Sequence, residues 1–388
     1  MHLQASIANN KRQDGLYHAY NILTLTSDDA IISHLPEMLE GQVAAISSGY
    51  VSPEETISIL DSMRKGNLYR EDQNSYMLYP IKKVPKFLEK NIIPIVKVES
   101  STLLMTLLKD ENKDIIQKDI HGNYHFRGDL TNVREFHTAL HVLDPIYHEL
   151  VKAELKSLTI LYESVFNHKE FTGRSGTFFA YEGIGSIYWH MVSKLRYAVQ
   201  EIYIKSILDK CDDEIIERIM NHYTQITDGI GVHKSPKNYG AFPTDPYSHT
   251  PYGKGVQQPG MTGQVKEDVI CRMREMGVSY TDGKIRFIPY LMSKKKFYMT
   301  EKTIHFRNVL GQIQEMQIPR NSMIISICQT PIIITLAEKN EITVYKQDMI
   351  IETTPSLELS SADSMSIFSR NGMIQQVHVV YNAYELHI

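Results

Sequence analysis

Cysteine and tryptophan are scarce in this chain of 388 residues, which contains three cysteines and a single tryptophan. Cys211, Cys271 and Cys328 are scattered along the sequence and are odd in number. Such a set does not make the paired framework of a small secreted protein, and it suits a reducing compartment. We therefore predict a cytoplasmic protein without a disulfide framework.

Long apolar runs and an excess of basic charge are also lacking. No run approaches the roughly 18 apolar residues of a membrane span, and the start of the chain lacks the apolar core of a signal peptide. The net charge at pH 7 is −4, without a long basic run, so we expect neither a membrane nor a nucleic-acid partner. Because helical pattern begins almost at once, we expect that the chain lacks an N-terminal portion that related proteins carry.

Familiar motifs for nucleotide and acyl chemistry are missing as well. The absence of GxGxxG between a strand and a helix, of GxxxxGK[ST] and of GxSxG argues against a dinucleotide enzyme, a P-loop NTPase and an α/β-hydrolase. His137 and His141 have the spacing of a zinc pair, with His148 nearby, but no HExxH glutamate or neighbouring cysteine accompanies them. We predict no metal site.

Helical patterns dominate residues 1–277. The clearest helix start is Ser52-Pro53-Glu54-Glu55, with a serine N-cap, a proline at the first helical position and a glutamate for a capping box. That helix is predicted to run to about Lys65. The predicted helices cover residues 35–48, 53–65, 86–91, 94–110, 130–143, 145–168, 185–208, 213–227 and 262–276.

The pattern changes after Gly277. Short β-branched or alternating runs are separated there by Gly, Asn, Asp or Pro, as is typical of strands and turns. The runs are 279–291, 302–307, 321–337, 340–346, 347–354, 357–369 and 373–386. They predict an antiparallel β-sandwich. The fold class is therefore α+β and multidomain, with a helical domain over 1–277 and a β-sandwich domain over 278–388.

Residues 229–263 form a long segment that is rich in Gly, Pro, Tyr, His, Asp and Gln and almost free of Ile, Leu and Val. Loops longer than about 12–15 residues are usually functional or disordered, and the aromatic residues of this one argue against disorder. Aromatic faces beside carboxylates, amides and imidazoles suit sugars, which offer apolar C–H faces and hydroxyls. We predict an ordered loop that binds carbohydrate.

The helix predicted over 262–276 carries the strongest candidate for acid catalysis. Asp268 borders the expected apolar stripe, so partial burial would raise the pKa of its carboxyl, as a general acid requires. An ion pair with Arg272 is the purely structural alternative, and Glu267 is predicted to point away. The expected core stripe consists of Val265, Val269, Met273 and Met276.

Two further polar loops are candidate binding segments. Residues 171–191 combine glycines and aromatics with Arg174, and place Glu182 where the long helix begins. Residues 69–76 have a tyrosine at each end and side chains that all donate or accept hydrogen bonds. Loops of this composition, set on a rigid scaffold, are typical of functional sites.

A helical array followed by a β-sandwich, with GRSGTFFAYEGIGSIYWH and AFPTDPYSHTPYGKGVQQPGMTGQVKEDV in its loops, resembles the (α/α)6-toroid carbohydrate-active enzymes. The resemblance is greatest to glycoside hydrolases and phosphorylases of the cellobiose-phosphorylase type, whose toroid is also closed by a small β-domain. It implies a toroid-like α/α array. Because a full toroid needs more helices, the chain is expected to be a C-terminal portion or a shortened relative, completed by an N-terminal portion or an oligomer partner.

The expected partner is an oligosaccharide or polysaccharide. Glycoside cleavage needs one protonated acid and a second base or anion: Asp268 is the expected acid, with Asp245 or Glu182 in the second role. No cofactor is expected, but inorganic phosphate would be a co-substrate if the glycine turn before the last helix binds an anion. That anion site comprises Gly260, Thr262 and Gly263, and the substrate-binding candidates are Arg70, Asp72, Gln73, Arg174, Tyr247, His249, Gln257 and Gln258.

The sequence alone leaves two other classes of function open. Polysaccharide lyases also join an α/α toroid to a β-sandwich and use Tyr, His, Asn and Arg to remove a proton next to a uronate. Their candidates here are Tyr17, His18, Tyr20 and Asn21, or Tyr247 with His249. A non-catalytic glycan-binding or scaffold protein is the third class.

Overall fold

The computed structural model describes residues 2–81, 85–168, 185–230, 249–250 and 262–386. The chain divides into two compact units. The first unit comprises Met1–Ala19, Leu39–Tyr76 and Tyr188–Ile388, and the second comprises Tyr20–Met38 and Met77–Ile187. Since Met77–Ile187 lies between two pieces of the first unit, the second unit is in large part an insertion. The boundary predicted near residue 277 stays a prediction.

The helices follow the sequence signals closely where capping residues are present. Ser52 caps α3 as predicted, because its Oγ accepts a hydrogen bond from the Glu55 amide at 3.2 Å, and the helix ends at Lys65. The helices up to residue 166 are α1 (His2–Asn9), α2 (Leu39–Ser47), α3 (Pro53–Lys65), α4 (Phe87–Lys90), α5 (Ile95–Glu99), α6 (Thr102–Lys109), α7 (Val133–Val142) and α8 (His148–Phe166). Those beyond it are α9 (Trp189–Leu208), α10 (Asp213–Asp228), α11 (Thr262–Glu275) and α12 (Ser361–Phe368).

Residues 1–277 also contain strands, so the expectation of a purely helical part is wrong. The polar segment after α6, for example, is a hairpin, since Asp119 Oδ1 accepts hydrogen bonds at 2.8 Å from the amides of His121 and Asn123 and closes a tight turn. The antiparallel pairs are β1 (Asn21–Leu25) with β2 (Ala30–His34), β3 (Tyr69–Arg70) with β4 (Ser75–Tyr76), and β5 (Ile116–Lys118) with β6 (Tyr124–Phe126). Two short strands, β7 (Ile187–Tyr188) and β8 (His249–Thr250), follow.

After residue 277 most of the predicted strands are found. Two hairpins, β9 (Val278–Thr281) with β10 (Lys284–Phe287) and β11 (Lys302–Arg307) with β12 (Ile313–Ile318), precede a five-stranded sheet. Its order is β13 (Ser322–Ile327), β14 (Thr330–Ala337), β17 (Ile374–Asn382), β15 (Glu341–Lys346) and β16 (Ile351–Thr354). The β14–β17 pair is parallel, so this sheet is mixed rather than antiparallel as predicted.

The run 357–369 was predicted as a strand, but it contains α12 instead. Ser360 precedes this helix and accepts a hydrogen bond from the Asp363 amide at 3.0 Å. A serine followed three residues later by an acidic residue is a helix-start signal. That cap favours a helix over the predicted strand.

The second unit has an aromatic core. Phe136 is fully buried and stacks on Tyr162 with ring centroids 4.4 Å apart, while Phe126 meets both rings edge-on. The two ends of the inserted segment are hydrogen-bonded to each other. The Leu78 amide donates to the Ser186 carbonyl at 2.8 Å, and the Gly185 amide donates to the Tyr79 carbonyl at 3.2 Å. The inserted segment therefore begins and ends at one point.

In the first unit, α9 packs against both α10 and α11. Residues 209–212 connect α9 to α10, so these two helices run antiparallel. Contacts of His190 with Glu267 near the helix starts, and of Gln200 with Cys271 further along, show that α9 and α11 run parallel. No helix of the described residues is long and apolar enough to cross a membrane.

Candidate functional site

A buried polar cluster joins α9, α10 and α11. The Arg196 guanidinium is the centre of this cluster, with its side chain only 6% exposed; Nη2 donates to Glu275 Oε1 at 2.6 Å and Nη1 donates to Asp268 Oδ1 at 3.3 Å. Tyr223 donates to Glu275 Oε1 at 2.6 Å, and Gln200 donates to Tyr223 at 3.0 Å. Because a buried charge is tolerated only when it is paired and hydrogen-bonded, these contacts fix the three helices together.

Asp268 lies at the open edge of this cluster, with 34% of its side chain exposed. Burial raises the pKa of its carboxyl above the ordinary value, although the charge of Arg196 opposes the shift. The raised pKa matches the expectation from the sequence. The alternative pairing with Arg272 is not found, since Arg272 Nη1 donates to Glu275 Oε2 at 2.6 Å.

The buried face of α11 differs from the predicted apolar stripe. Val269 is 52% exposed, whereas Glu267 and Glu275 are 6% and 7% exposed and Cys271 is fully buried. The expectation that Glu267 points away is therefore wrong. Arg196 and its neighbours on the other helices compensate the carboxylates, so the buried face of this helix is largely polar.

Glu267 forms a close pair with His190 at the starts of α9 and α11. Their Nε2 and Oε1 atoms are 3.4 Å apart, near enough for charge pairing but without hydrogen-bond geometry. Glu267 Oε2 and Ser193 Oγ are buried and have no hydrogen-bond partner among the described residues. Native proteins rarely leave buried polar atoms without a hydrogen bond. Glu267 Oε2 and Ser193 Oγ can therefore still hydrogen-bond to a polar ligand.

The β3–β4 hairpin carries three of the predicted binding residues. Arg70 is buried and pairs with Asp72 through Nε–Oδ1 and Nη2–Oδ2 distances of 2.8 and 3.0 Å. The Asp72 side chain is 51% exposed, and Gln73 is buried. Of these three side chains, Asp72 is therefore the one that reaches solvent.

This hairpin meets the C-terminal end of α10. A Cβ atom on Gly229 would lie 2.2 Å from the Asn74 carbonyl oxygen, so only glycine permits this approach. Asn74 itself adopts a left-handed conformation, and its side chain accepts hydrogen bonds from Tyr69 at 2.8 Å and Arg64 at 3.2 Å. The turn that carries Asp72 is thereby anchored beside the residue from which the long loop departs.

Three helix ends consequently lie on one side of the α9–α11 bundle: the starts of α9 and α11 and the end of α10. The sequences that hold most of the other candidates adjoin these ends. Glu182, Asp245, Arg174, Tyr247, Gln257, Gln258 and Gly260 lie outside the described residues, as do the side chains of His249 and Thr262 and any feature of Gly263 beyond its place in α11.

Three residues considered for other functions, Tyr17, His137 and His148, have hydrogen-bond partners in the structure. The Tyr17 hydroxyl donates to Glu55 at 2.6 Å, and burial raises the pKa of this tyrosine, so it does not fit the role of a proton acceptor. His137 Nε2 contacts Thr159 Oγ1 at 2.8 Å, and His148 Nε2 contacts the Leu143 carbonyl at 2.9 Å. Within the described ranges, no group of three or more His, Cys, Asp or Glu is placed to hold a metal ion.

Residues 84–169 match a family model described as GH149 phosphorylase insertion domain 2. The matched stretch lies inside the second unit, which the structure shows to be an insertion in the first. Over these residues the chain is therefore similar to an insertion domain of a phosphorylase family. No curated protein matches the chain.

Proposed function

We propose that this protein is a carbohydrate-active enzyme that cleaves oligosaccharides, by phosphorolysis in preference to hydrolysis. The observation that carries the proposal is the match of the inserted segment to an insertion domain of a phosphorylase. The arrangement of an insertion between two pieces of a helical unit agrees with the description of that model. On this proposal, the helices of the first unit belong to a toroid-like α/α array that the C-terminal β-domain closes.

The proposed active site lies where α9 and α11 begin and α10 ends. Asp268 is the proposed general acid, because it combines a raised pKa with partial exposure at the edge of the buried polar cluster. Glu182 or Asp245 is the proposed second carboxylate, and Asp72 lies on a turn anchored beside the same helix end. The other binding candidates, from Arg174 to Gln258, adjoin these ends in sequence and complete the proposed surface.

Phosphate is proposed to bind at the start of α11, at Gly260, Thr262 and Gly263. A helix of this length presents unpaired amides and a partial positive charge at its first turn, which favours an anion. Phosphate would then replace water as the attacking group, and no other cofactor is needed.

The test is turnover of a panel of β-linked oligosaccharides with and without phosphate. Asp268→Asn should lower kcat by about 100-fold or more, because general acid catalysis contributes roughly 10²–10⁴-fold. Asp213→Asn, an exposed carboxylate in the first turn of α10, is the matched control and should keep wild-type activity. Sugar phosphate should be released when phosphate is present.

The assignments fail in distinguishable ways. Full activity of Asp268→Asn would reject that residue as the acid. If Glu267→Gln loses activity and Asp268→Asn keeps it, Glu267 is the acid. Equal turnover without phosphate would indicate a hydrolase. Glycan binding without any turnover would favour the non-catalytic class.

A further inference from the structure

The turn between α12 and β17 contains the one Asn-Gly pair of the sequence, Asn371-Gly372. Asn371 is exposed, and Gly372 has a positive φ of 78°, a conformation that favours glycine. Since glycine has no Cβ, its backbone nitrogen is open to approach by the side-chain amide carbon of the preceding asparagine. The pair therefore places an electrophile beside an unhindered nucleophile in an exposed turn.

The carbonyl oxygen of the Asn371 side chain accepts two hydrogen bonds. The donors are the Met373 amide at 3.0 Å and Ser366 Oγ at 2.7 Å. Two donors on a carbonyl oxygen stabilise the negative charge that develops there when a nucleophile adds to its carbon. Within the described residues, neither the Gly372 amide nor Asn371 Nδ2 has a hydrogen-bond partner. The attacking and the leaving nitrogen are therefore not engaged elsewhere.

We propose that Asn371 is a modification site at which the protein deamidates itself. The Gly372 nitrogen loses its proton and bonds to Asn371 Cγ, the bond from Cγ to Nδ2 breaks, and Nδ2 takes up the proton and leaves as ammonia. Water then opens the five-membered succinimide at either of its two carbonyl carbons and yields aspartate or isoaspartate. The reaction needs only water and is independent of the proposed cleavage of oligosaccharides.

The modification changes the chain just before β17, the middle strand of the five-stranded sheet. Both products carry a new negative charge, and isoaspartate also adds a methylene to the main chain. The Met373 carbonyl, directly after the turn, accepts a hydrogen bond from the Gln347 amide at 3.0 Å. A Cβ on Gly372 would lie 3.4 Å from Val309 Cγ2, so the lengthened turn has little spare room. Isoaspartate should therefore destabilise this sheet more than aspartate does.

The experiment incubates the full chain at neutral and at mildly alkaline pH and follows each asparagine by peptide mass spectrometry. Asn308 and Asn112 are internal controls, since each accepts a hydrogen bond from the amide two residues on, at 3.0 and 2.8 Å. Val309 and Lys113 follow them in place of glycine. Asn371 should deamidate at least about tenfold faster than either, which corresponds to a barrier lower by about 1.4 kcal/mol. Its rate should rise with pH, because the attacking nitrogen must lose its proton.

Ser366→Ala removes one of the two donors and should slow deamidation of Asn371 several-fold. Ser369→Ala is the matched control, because that hydroxyl donates to the Ser366 carbonyl and not to Asn371. Asn371→Asp carries the charge without the added methylene, so it should keep most of the stability towards urea that isoaspartate-containing protein loses. Deamidation of Asn371 no faster than that of Asn308 and Asn112 overturns the proposal. An equal or faster reaction in Ser366→Ala would overturn the activating role of the hydrogen bonds.

Discussion

The two units differ in the charged side chains that they bury beside their apolar cores. The second unit packs aromatic rings, among which Phe136 and Tyr162 have stacked centroids 4.4 Å apart. The first unit has an apolar core of its own, and in addition it buries an arginine and two glutamates where α9, α10 and α11 meet. Apolar packing tolerates substitutions of similar volume, whereas a buried charge depends on every partner. The contrast teaches that stability should depend on charge pairing in the first unit and on side-chain volume in the second.

The largest effect is expected from the aromatic core. Phe136→Ala removes a fully buried ring and should lower the free energy of unfolding by about 3–5 kcal/mol, because it loses the burial of the ring and leaves a cavity. Urea unfolding measures the change, and Ile160→Ala on the exposed side of α8 is the control. A loss below about 1 kcal/mol would show that this core is not packed as described.

Arg196→Met tests the charged cluster. It keeps much of the side-chain volume but removes the most buried of the three cations around Glu275, leaving Arg272 and Lys296, and should cost about 3 kcal/mol. The double variant Arg196→Met with Glu275→Gln removes the stranded charge and should recover part of the loss. If the double variant is less stable than Arg196→Met alone, the destabilisation does not come from the charge of Glu275.

Tyr223→Phe should produce a smaller, pH-dependent effect. Burial raises the pKa of Glu275, but the hydrogen bond from Tyr223 and the charges of Arg196, Lys296 and Arg272 outweigh it and hold the pKa below its ordinary value. A carboxyl with a lowered folded-state pKa stabilises the fold above its unfolded pKa of about 4.3, and this contribution is lost as the pH falls through the folded value. Removing the hydrogen bond should therefore cost about 1.5–3 kcal/mol at pH 7.

Acid titration of unfolding distinguishes this linkage from a simple packing loss. The difference in stability between wild type and Tyr223→Phe should shrink as the pH falls below about 4. A difference that is constant from pH 7 to the acid transition would contradict the assignment to Glu275.

The smallest effect is expected from a polar contact of the second unit. Ser101 caps α6, since its Oγ accepts a hydrogen bond from the Leu104 amide at 3.1 Å and donates to Glu154 at 2.5 Å. Ser101→Ala should lower stability by about 1 kcal/mol, the usual cost of losing a cap. Ser157→Ala, at an exposed position of α8, is the control. A loss of stability as large as that of Arg196→Met would show that polar contacts matter as much in the second unit as the charged cluster does in the first.

The features that are predicted correctly from the sequence depend on residues that are neighbours in the chain. Ser52 and Pro53 define the start of α3 because the cap is made by neighbours in the chain, and turn residues delimit most strands after residue 277. The buried face of α11 was predicted wrongly because the partners of Glu275 include residues of α9 and α10, far away in sequence. Helical periodicity depends only on the residues of the helix itself. It therefore predicts Val269 in the core and Glu267 in solvent.

The paired backbone at Leu78 and Ser186 has a consequence for the history of this chain. Since the two ends of the inserted segment are neighbours, a segment of this kind can be gained, lost or exchanged without moving the residues on either side. Replacing 79–185 by a short turn would join two backbone segments that are already hydrogen-bonded to each other. The inserted segment can therefore be exchanged as a single unit of sequence.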